Sequence, residues 1–283
     1  LLALVAQDQI QLSPRVSAIA GVRWERFALG FDDRRAGARD VDRTDAMVSP
    51  RVGLVWEARP TLALYGGWTT SALPQSGEQF NTLDVTRAGL EPERFENLEI
   101  GARWQATEGL LVSTALYRLD RTNTTAPGSV PGTVVLTGAQ RAEGLEVAAQ
   151  GEVTSRWRMI GALALQDARI TATTVAAPAG RRAPLVPRTS ASLWNRVMLR
   201  PRVSAALGIV HQGAQYASIT NAVTLPAYTR LDGGLFVAVT DALRVQLNAE
   251  NLAGTRYWFT AHNDDNLTPG APTLLRTSLV LRF

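Results

Sequence analysis

The sequence predicts an all-β fold, an antiparallel transmembrane β-barrel of about thirteen strands. Three observations predict it. Apolar and polar residues alternate through segment after segment. Short turns and long loops alternate just as regularly between those segments. No convincing helix is present, and no run of about 18 apolar residues exists, which excludes ordinary transmembrane helices. Side chains alternate faces along a strand, so each segment has one greasy and one charged face. A soluble sandwich would turn the greasy face inward, and a membrane barrel turns it to lipid.

The C-terminal stretch carries the pattern most clearly. Leu231, Leu235, Val237 and Val239 share one parity, and Asp232, Gly234, Phe236 and Ala238 the other. After a turn at Thr240, Asp241 and Ala242, the residues Leu243, Val245, Leu247 and Ala249 oppose Arg244, Gln246, Asn248 and Glu250. The last strand sets Leu275, Thr277, Leu279, Leu281 and Phe283 against Arg276, Ser278 and Arg282.

The earlier elements follow in order. Segment 1–12 turns at Ser13, Pro14 and Arg15 into 16–30. A polar loop rich in Asp and Arg leads to 46–57, and Ala58, Arg59 and Pro60 turn into 61–72. The loop 73–92 precedes 93–106, where Leu98, Ile100, Ala102 and Trp104 oppose Asn97, Glu99, Arg103 and Gln105. Thr107, Glu108 and Gly109 turn into 110–121; then come 138–151, 156–170, 188–199 and 202–212. Long loops follow the even-numbered strands and tight turns the odd ones. Strands of roughly ten residues suit a tilted bilayer crossing, and one-sided long loops are a barrel habit. The strand aromatics Trp56, Tyr65, Trp68, Trp104, Tyr117, Trp157, Trp194 and Tyr228 are candidates for interface girdles.

Composition narrows the function. The chain of 283 residues has no linker or shift in composition, which predicts one unit, 1–283. It opens on leucine without a signal-peptide pattern, so a processed N-terminus or a piece of a longer chain is expected. Cysteine is absent, which removes disulfides, thiolate metal sites and cysteine nucleophiles. The net charge of +4 comes from scattered arginines without a basic helix or tract, so no nucleic-acid partner is expected.

Several stretches then carry a family likeness: SPRVGLVWEARPTLALYGGWTTSALP, LEPERFENLEIGARWQATEGLLVSTALYRLDRTN, GAQRAEGLEVAAQGE, VPRTSASLWNRVML, LPAYTRLDGGLFVAVTDALRVQLNAENLAGTRYW and the ending TSLVLRF. In their order and spacing the sequence resembles the C-terminal barrel portion of TonB-dependent outer-membrane receptors of the ferric-siderophore branch. The resemblance implies a barrel of about 22 strands with a plugged lumen, of which this chain would supply the last thirteen. The plug and the TonB-contacting segment would lie outside it. An open sheet leaves unpaired backbone at both edges, which hydrocarbon does not tolerate, so a fragment not competent for transport alone is expected.

The resemblance also implies partners and a compartment: a ferric siderophore as transported ligand, the TonB-ExbB-ExbD complex reached through the missing N-terminal region, outer-membrane lipid, and the cell outer membrane of a Gram-negative bacterium. Leu279, Leu281 and the terminal Phe283 resemble the signal read by the barrel-assembly machinery. No covalently bound cofactor is implied. The stretches TSALPQSGEQF and LEPERFEN hold no histidine, which points away from haem. A receptor for another large nutrient, a passive porin-like channel and a soluble all-β module remain alternatives.

Catalysis finds little footing. His211 and His262 are the two histidines, both at the long-loop end, with no recognisable catalytic or metal spacing around them. The acids Asp32, Asp33, Asp40, Asp42 and Asp45 lack the fixed spacing of a calcium loop. No enzyme and no metal site are expected. Recognition of a large chelate should use aromatic rings and guanidinium groups on long loops and upper lumen walls. By position the candidates are Phe80, Arg87, Arg94, Tyr216, Trp258 and His262.

Overall fold

The computed structural model describes residues 1–32, 34, 40–74, 91–127, 134–175 and 177–282. All regular structure among them is strand. The wall consists of β1 (Leu2–Ser13), β2 (Val16–Phe31), β3 (Val41–Arg59), β4 (Leu62–Leu73), β5 (Glu93–Thr107), β6 (Leu110–Pro127), β7 (Val134–Thr154), β8 (Trp157–Ile170), β9 (Thr189–Arg200) and β10 (Val203–Gln212). It continues after two inserted ladders. One is β11 (Gln215–Tyr216) with β12 (Thr224–Leu225); the other is β15 (Trp258–Asn263) with β16 (Asn266–Pro269). The remaining wall strands are β13 (Tyr228–Ala238), β14 (Leu243–Glu250) and β17 (Leu274–Leu281).

These thirteen strands form one antiparallel sheet in chain order, β1 to β10, then β13, β14 and β17. Among the described residues β1 and β17 each pair on one side. Register irregularities recur beside the tight turns, at Gln11/Ser13, Glu57/Arg59, Gln105/Thr107 and Glu152/Thr154. Bulges sharpen twist and bend, which a curving wall needs at its rim.

Several strands run past their expected ends. Pairing of β2 with β3 continues to Phe31↔Val41, and pairing of β6 with β7 to Pro127↔Val134. The polar segments there read as loop because they lack an apolar face. A hairpin standing in water needs none, since its ladder satisfies the backbone. The expected loops after β10 and β14 likewise contain the two small ladders.

Register fixes the two faces. Leu98 pairs Trp68 and Ile100 pairs Gly66, while Glu99 pairs Gly67 and Gly101 pairs Tyr65. Followed across the sheet, one face gathers Leu54, Leu98, Ile100, Leu116, Leu163, Leu193, Leu207, Leu235, Leu247 and Leu279, all exposed. The other gathers Arg51, Glu99, Tyr117, Glu146, Gln166, Arg196, Arg230 and Gln246. The buried apolar residues Met47, Ile170, Ala177, Ala183, Ala217, Leu225 and Ala261 all lie toward the long-loop end. Among the described residues the wall therefore has no core of its own. Its apolar face is matched by hydrocarbon instead, the arrangement of a membrane barrel.

Candidate functional site

The long-loop end of β8 to β17 is a built structure. Connections 213–227 and 251–273 pack around Ala217, Leu225 and Ala261, with Val223 and Leu267 against them, and residues 181–185 are hydrogen-bonded to 216–221 beside them. Leu225 is 1% exposed, although it belongs to a ladder of two residues per strand. Such a ladder is too short to hold itself, so the apolar contact and side-chain bonds hold it.

Two asparagines staple these connections. Both adopt positive φ, 54° at Asn251 and 55° at Asn221, a conformation Asn tolerates better than most residues. Asn251 Nδ2 donates to the carbonyls of Thr255 (2.9 Å) and Ala271 (3.0 Å), and its Oδ1 accepts from Thr255 N (2.8 Å). Its own N–H donates to Asp232 Oδ1 on β13 (2.8 Å), and its carbonyl accepts from Thr273 Oγ1 (2.7 Å). Asp232 Oδ2 in turn accepts from Arg230 (2.8 Å). Asp232 and Asn251 are each 1% exposed, and the network gives both full partners, as burial of such groups requires. Asn221 joins the neighbouring connection: its Oδ1 accepts from Arg182 N (2.9 Å), and its Nδ2 donates to Arg182 O (3.1 Å). Asp264 closes the cluster by accepting from Ser218 Oγ (2.9 Å) and Thr220 Oγ1 (2.6 Å).

Along the wall, aromatic rings lie flat over glycines on the polar face. Tyr65 covers Gly101, Tyr117 covers Gly144 and Trp194 covers Gly208, each the direct ladder partner of its glycine. A Cβ at Gly208 would stand 2.5 Å from the indole. The hydroxyls of Tyr65 and Tyr117 then donate to Glu99 (2.7 Å) and Gln166 (2.9 Å). The rings thereby lie along the wall.

A family model described as TonB dependent receptor-like, beta-barrel matches residues 2–252. The chain belongs to this TonB-dependent receptor family. The probable TonB-dependent siderophore receptor PiuA of Acinetobacter baumannii is 24% identical over 274 residues, spanning 90% of this chain and 37% of that protein. The metal-pseudopaline receptor CntO of Pseudomonas aeruginosa is 29% identical over 295 residues, 100% of this chain and 41% of that protein. The crystal structure of PiuA superposes with a TM-score of 0.88 at 22% identity, over 98% of this chain and 42% of that one. The closed form of the ferric-catecholate import receptor Fiu from Escherichia coli gives 0.85 at 23% identity, over 98% and 44%. The chain thus spans less than half the length of these relatives. Homologues and fold are those of transport receptors, not enzymes.

In a TonB-dependent receptor barrel the apolar face meets lipid and the polar face lines the lumen. The expected girdle aromatics accordingly divide. Trp56, Trp104 and Trp157 sit on the lipid parity beside tight turns, as an interface belt requires. Tyr65, Tyr117, Trp194 and Tyr228 face the lumen instead, a correction the register makes.

The predicted ligand residues divide as well. Phe80 and Arg87 lie outside the described residues. Arg94, the second residue of β5, lies on the lipid parity, paired with Ala72, and lines an outward groove of about 640 Å³ with Pro50, Trp68 and Asp120. It is not on the upper lumen wall. Tyr216, Trp258 and His262 all belong to the loop cluster: the Tyr216 backbone carbonyl accepts from Leu185 N (2.9 Å), and Trp258 and His262 stand on β15. Trp258 lines a second cavity of about 670 Å³, with Arg256, Tyr257 and Pro226. Tyr257 stacks on Tyr228 with centroids 4.1 Å apart and accepts from Arg230 (3.3 Å). Among the described residues no group of three His, Cys, Asp or Glu side chains is placed to hold a metal ion.

The staples Asn221, Asn251 and Asp232 escaped the sequence reading. Asp232 looked like one more polar residue of an alternating strand. The available signal was the run Asn251-Leu252-Ala253-Gly254, an Asn and a Gly closing a strand where positive φ is cheap.

Proposed function

We propose that this chain is the C-terminal wall and outer-loop portion, 1–283 as one unit, of an outer-membrane receptor that takes up ferric siderophores. The outer loops capture the chelate, with Tyr216, Trp258 and His262 as contacts, and Phe80 and Arg87 as further candidates. Energy reaches the receptor from TonB, ExbB and ExbD through the portion that precedes this chain in the family. Leu279 and Leu281, exposed on the lipid parity, and Phe283 form the signal for the barrel-assembly machinery. The observation that carries the reading is the stapled loop cluster above a polar inner face. It holds aromatic and basic side chains ready at an entrance without an ordering cost on binding.

The test is uptake. The full-length gene is expressed in a strain without other chelate receptors, and accumulation of ⁵⁵Fe chelates is followed with and without functional TonB. TonB-dependent accumulation of at least one ferric siderophore is expected, with the protein in the outer-membrane fraction. TonB-independent diffusion of small solutes would instead establish a passive channel.

A second reading has a specific support. The metal-pseudopaline receptor is 29% identical over the whole chain. A chelate of another transition metal is therefore the alternative cargo, and the same assay with ⁶⁵Zn and ⁶³Ni chelates separates the two.

A further inference from the structure

Arg94 lies on the outward face of the wall, and its surroundings show what it meets there. Pairing of β3 with β4 ends at Arg51↔Thr69. Yet β3 continues with β2 to Phe31↔Val41, and β4 with β5 to Leu73↔Glu93. The next residue on β3 is Pro50, which has no N–H to give the ladder. Its carbonyl accepts from Thr70 Oγ1 (3.1 Å) instead. Beyond that bond β3 and β4 no longer pair, and the wall forks.

The groove of about 640 Å³ stands at this fork. Ala46, Val48 and Pro50 line it from β3, Trp68 and Ala72 from β4, and Arg94 from β5. All six share the parity of Leu54 and Leu98, so the groove continues the lipid-facing band. The band itself ends here. Above Leu98 and Leu116 the outward residues are Glu96 and Arg94 on β5, and Arg118 and Asp120 on β6. An apolar band that gives way to charge on the long-loop side marks the level of the outer-leaflet headgroups in a barrel.

Four arginines stand outward near that level on β5 to β8. Arg118 and Arg141 both bind Asp120, and Arg169 binds Asp167. Arg94 has no ion-pair partner among the described residues. Glu96, on the same face of β5, accepts from Trp68 Nε1 (3.1 Å). A guanidinium beside an apolar groove presents two surfaces at once. Its N–H donors match a phosphate, and the groove matches methylenes. A molecule that carries both, and that is present at this level, is a lipid with a phosphorylated headgroup.

Given the outer-membrane location proposed above, and whatever the cargo, we propose that the fork between β3 and β4 seats a phosphorylated lipid of the outer leaflet. Its phosphate is held by Arg94, and its apolar part lies along Val48, Pro50 and Ala72. The lipid fills the gap that the interrupted ladder leaves beside the membrane.

The experiment uses the full-length receptor, purified in nonionic detergent and stripped of native lipid. The probe is bisphosphorylated lipid A, compared with the same lipid freed of phosphate, and bound lipid is followed by native mass spectrometry. Arg94→Gln is expected to weaken binding of the phosphorylated lipid about tenfold, and Arg94→Lys to recover part of it. Arg169→Gln, on the same face but at a paired arginine, should stay within about twofold. Ala72→Trp fills the groove and should weaken binding about tenfold with Arg94 intact. An excess of inorganic phosphate should displace little, because it lacks the apolar part. All variants are compared at equal heat-modifiable mobility, so that folding is held constant. Equal affinity for the phosphate-free lipid overturns the seat, as does unchanged affinity in Arg94→Gln or in Ala72→Trp. Equal losses in Arg94→Gln and Arg169→Gln also overturn it, since they mean diffuse attraction to the charged face. Full displacement by inorganic phosphate overturns it and assigns Arg94 to a free anion. Fractionation of the receptor outside the outer membrane would sink the location and the seat with it, whereas loss of lipid affinity alone leaves the location standing.

Discussion

The stapled loop cluster and the barrel wall below it solve the same problem by opposite means. Both must hold their shape. The cluster stands in water, where an apolar centre as small as Ala217, Leu225 and Ala261 contributes little, so it relies on buried polar bonds at Asn251, Asp232 and Asn221. The wall of a membrane barrel meets lipid, where burial of its apolar face separates nothing within the protein, and here it relies on backbone ladders and on rings pressed over glycines. Rigidity at the loops is thus a matter of hydrogen-bond satisfaction, and in the wall a matter of shape.

Removing the side chain of Asn251 is expected to have the largest effect. Asn251→Ala leaves Thr255 N and two carbonyls without their partner and puts alanine, which tolerates the left-handed region less well than asparagine, at a φ of 54°. A loss of about 3 kcal/mol in the stability of the cluster follows. Asn251→Gly, which keeps the backbone conformation, should lose less than Asn251→Ala by about 1 kcal/mol. Limited proteolysis of the full-length receptor reads this directly as faster cleavage within 251–273. Equal protection of both variants and the parent would show that the loops hold without the staple.

The wall prediction is next in size. A Cβ at Gly208 meets only indole atoms of Trp194 among its nearest neighbours, at 2.5 to 2.7 Å. Gly208→Ala should therefore cost about 2 kcal/mol, read as a lower urea midpoint for barrel unfolding. Trp194→Leu in the same chain should return most of that loss, because the clash is with a side chain. At Gly101 the nearest atoms include the Thr114 carbonyl at 2.5 Å, so Tyr65→Leu should not rescue Gly101→Ala. Rescue at both sites, or at neither, would contradict the shape account.

The two regions also differed in how far they could be read from sequence. The wall was legible because its period of two is written into every strand and its turns keep their phase; Leu98, Ile100 and Trp104 announce their face without help. What pairs with what was not written there. That Trp194 faces the lumen over Gly208 depends on register between β9 and β10, which neither strand carries alone. The cluster was legible only as a location, which sufficed to place Tyr216, Trp258 and His262 together. Its bonds join residues far apart in sequence, Asn221 to Arg182 and Asp264 to Ser218, so no local pattern records them. Arg94 was misplaced because the long-loop end was taken as a whole, although one step of parity moves a side chain from lumen to lipid.

The smallest expected effect sharpens the contrast between buried and exposed charge. Asp120 bridges Arg118 and Arg141 at 2.7 Å each on the outward face, with both arginine side chains more than a third exposed. Asp232 is buried and receives Arg230 and the Asn251 backbone. Asp120→Asn removes one charge from an exposed triad toward the long-loop end of β6 and should cost about 0.5 kcal/mol, fading as salt is raised past about 0.5 M. Asp232→Asn exchanges a carboxylate for an amide that must turn one N–H toward a donor, and should cost about 2 kcal/mol at any salt. Urea midpoints and cleavage within 251–273, measured at low and high salt, carry the comparison. If the two substitutions respond alike to salt, the Asp232 network is open to water, and the cluster holds its shape by something other than buried hydrogen bonds.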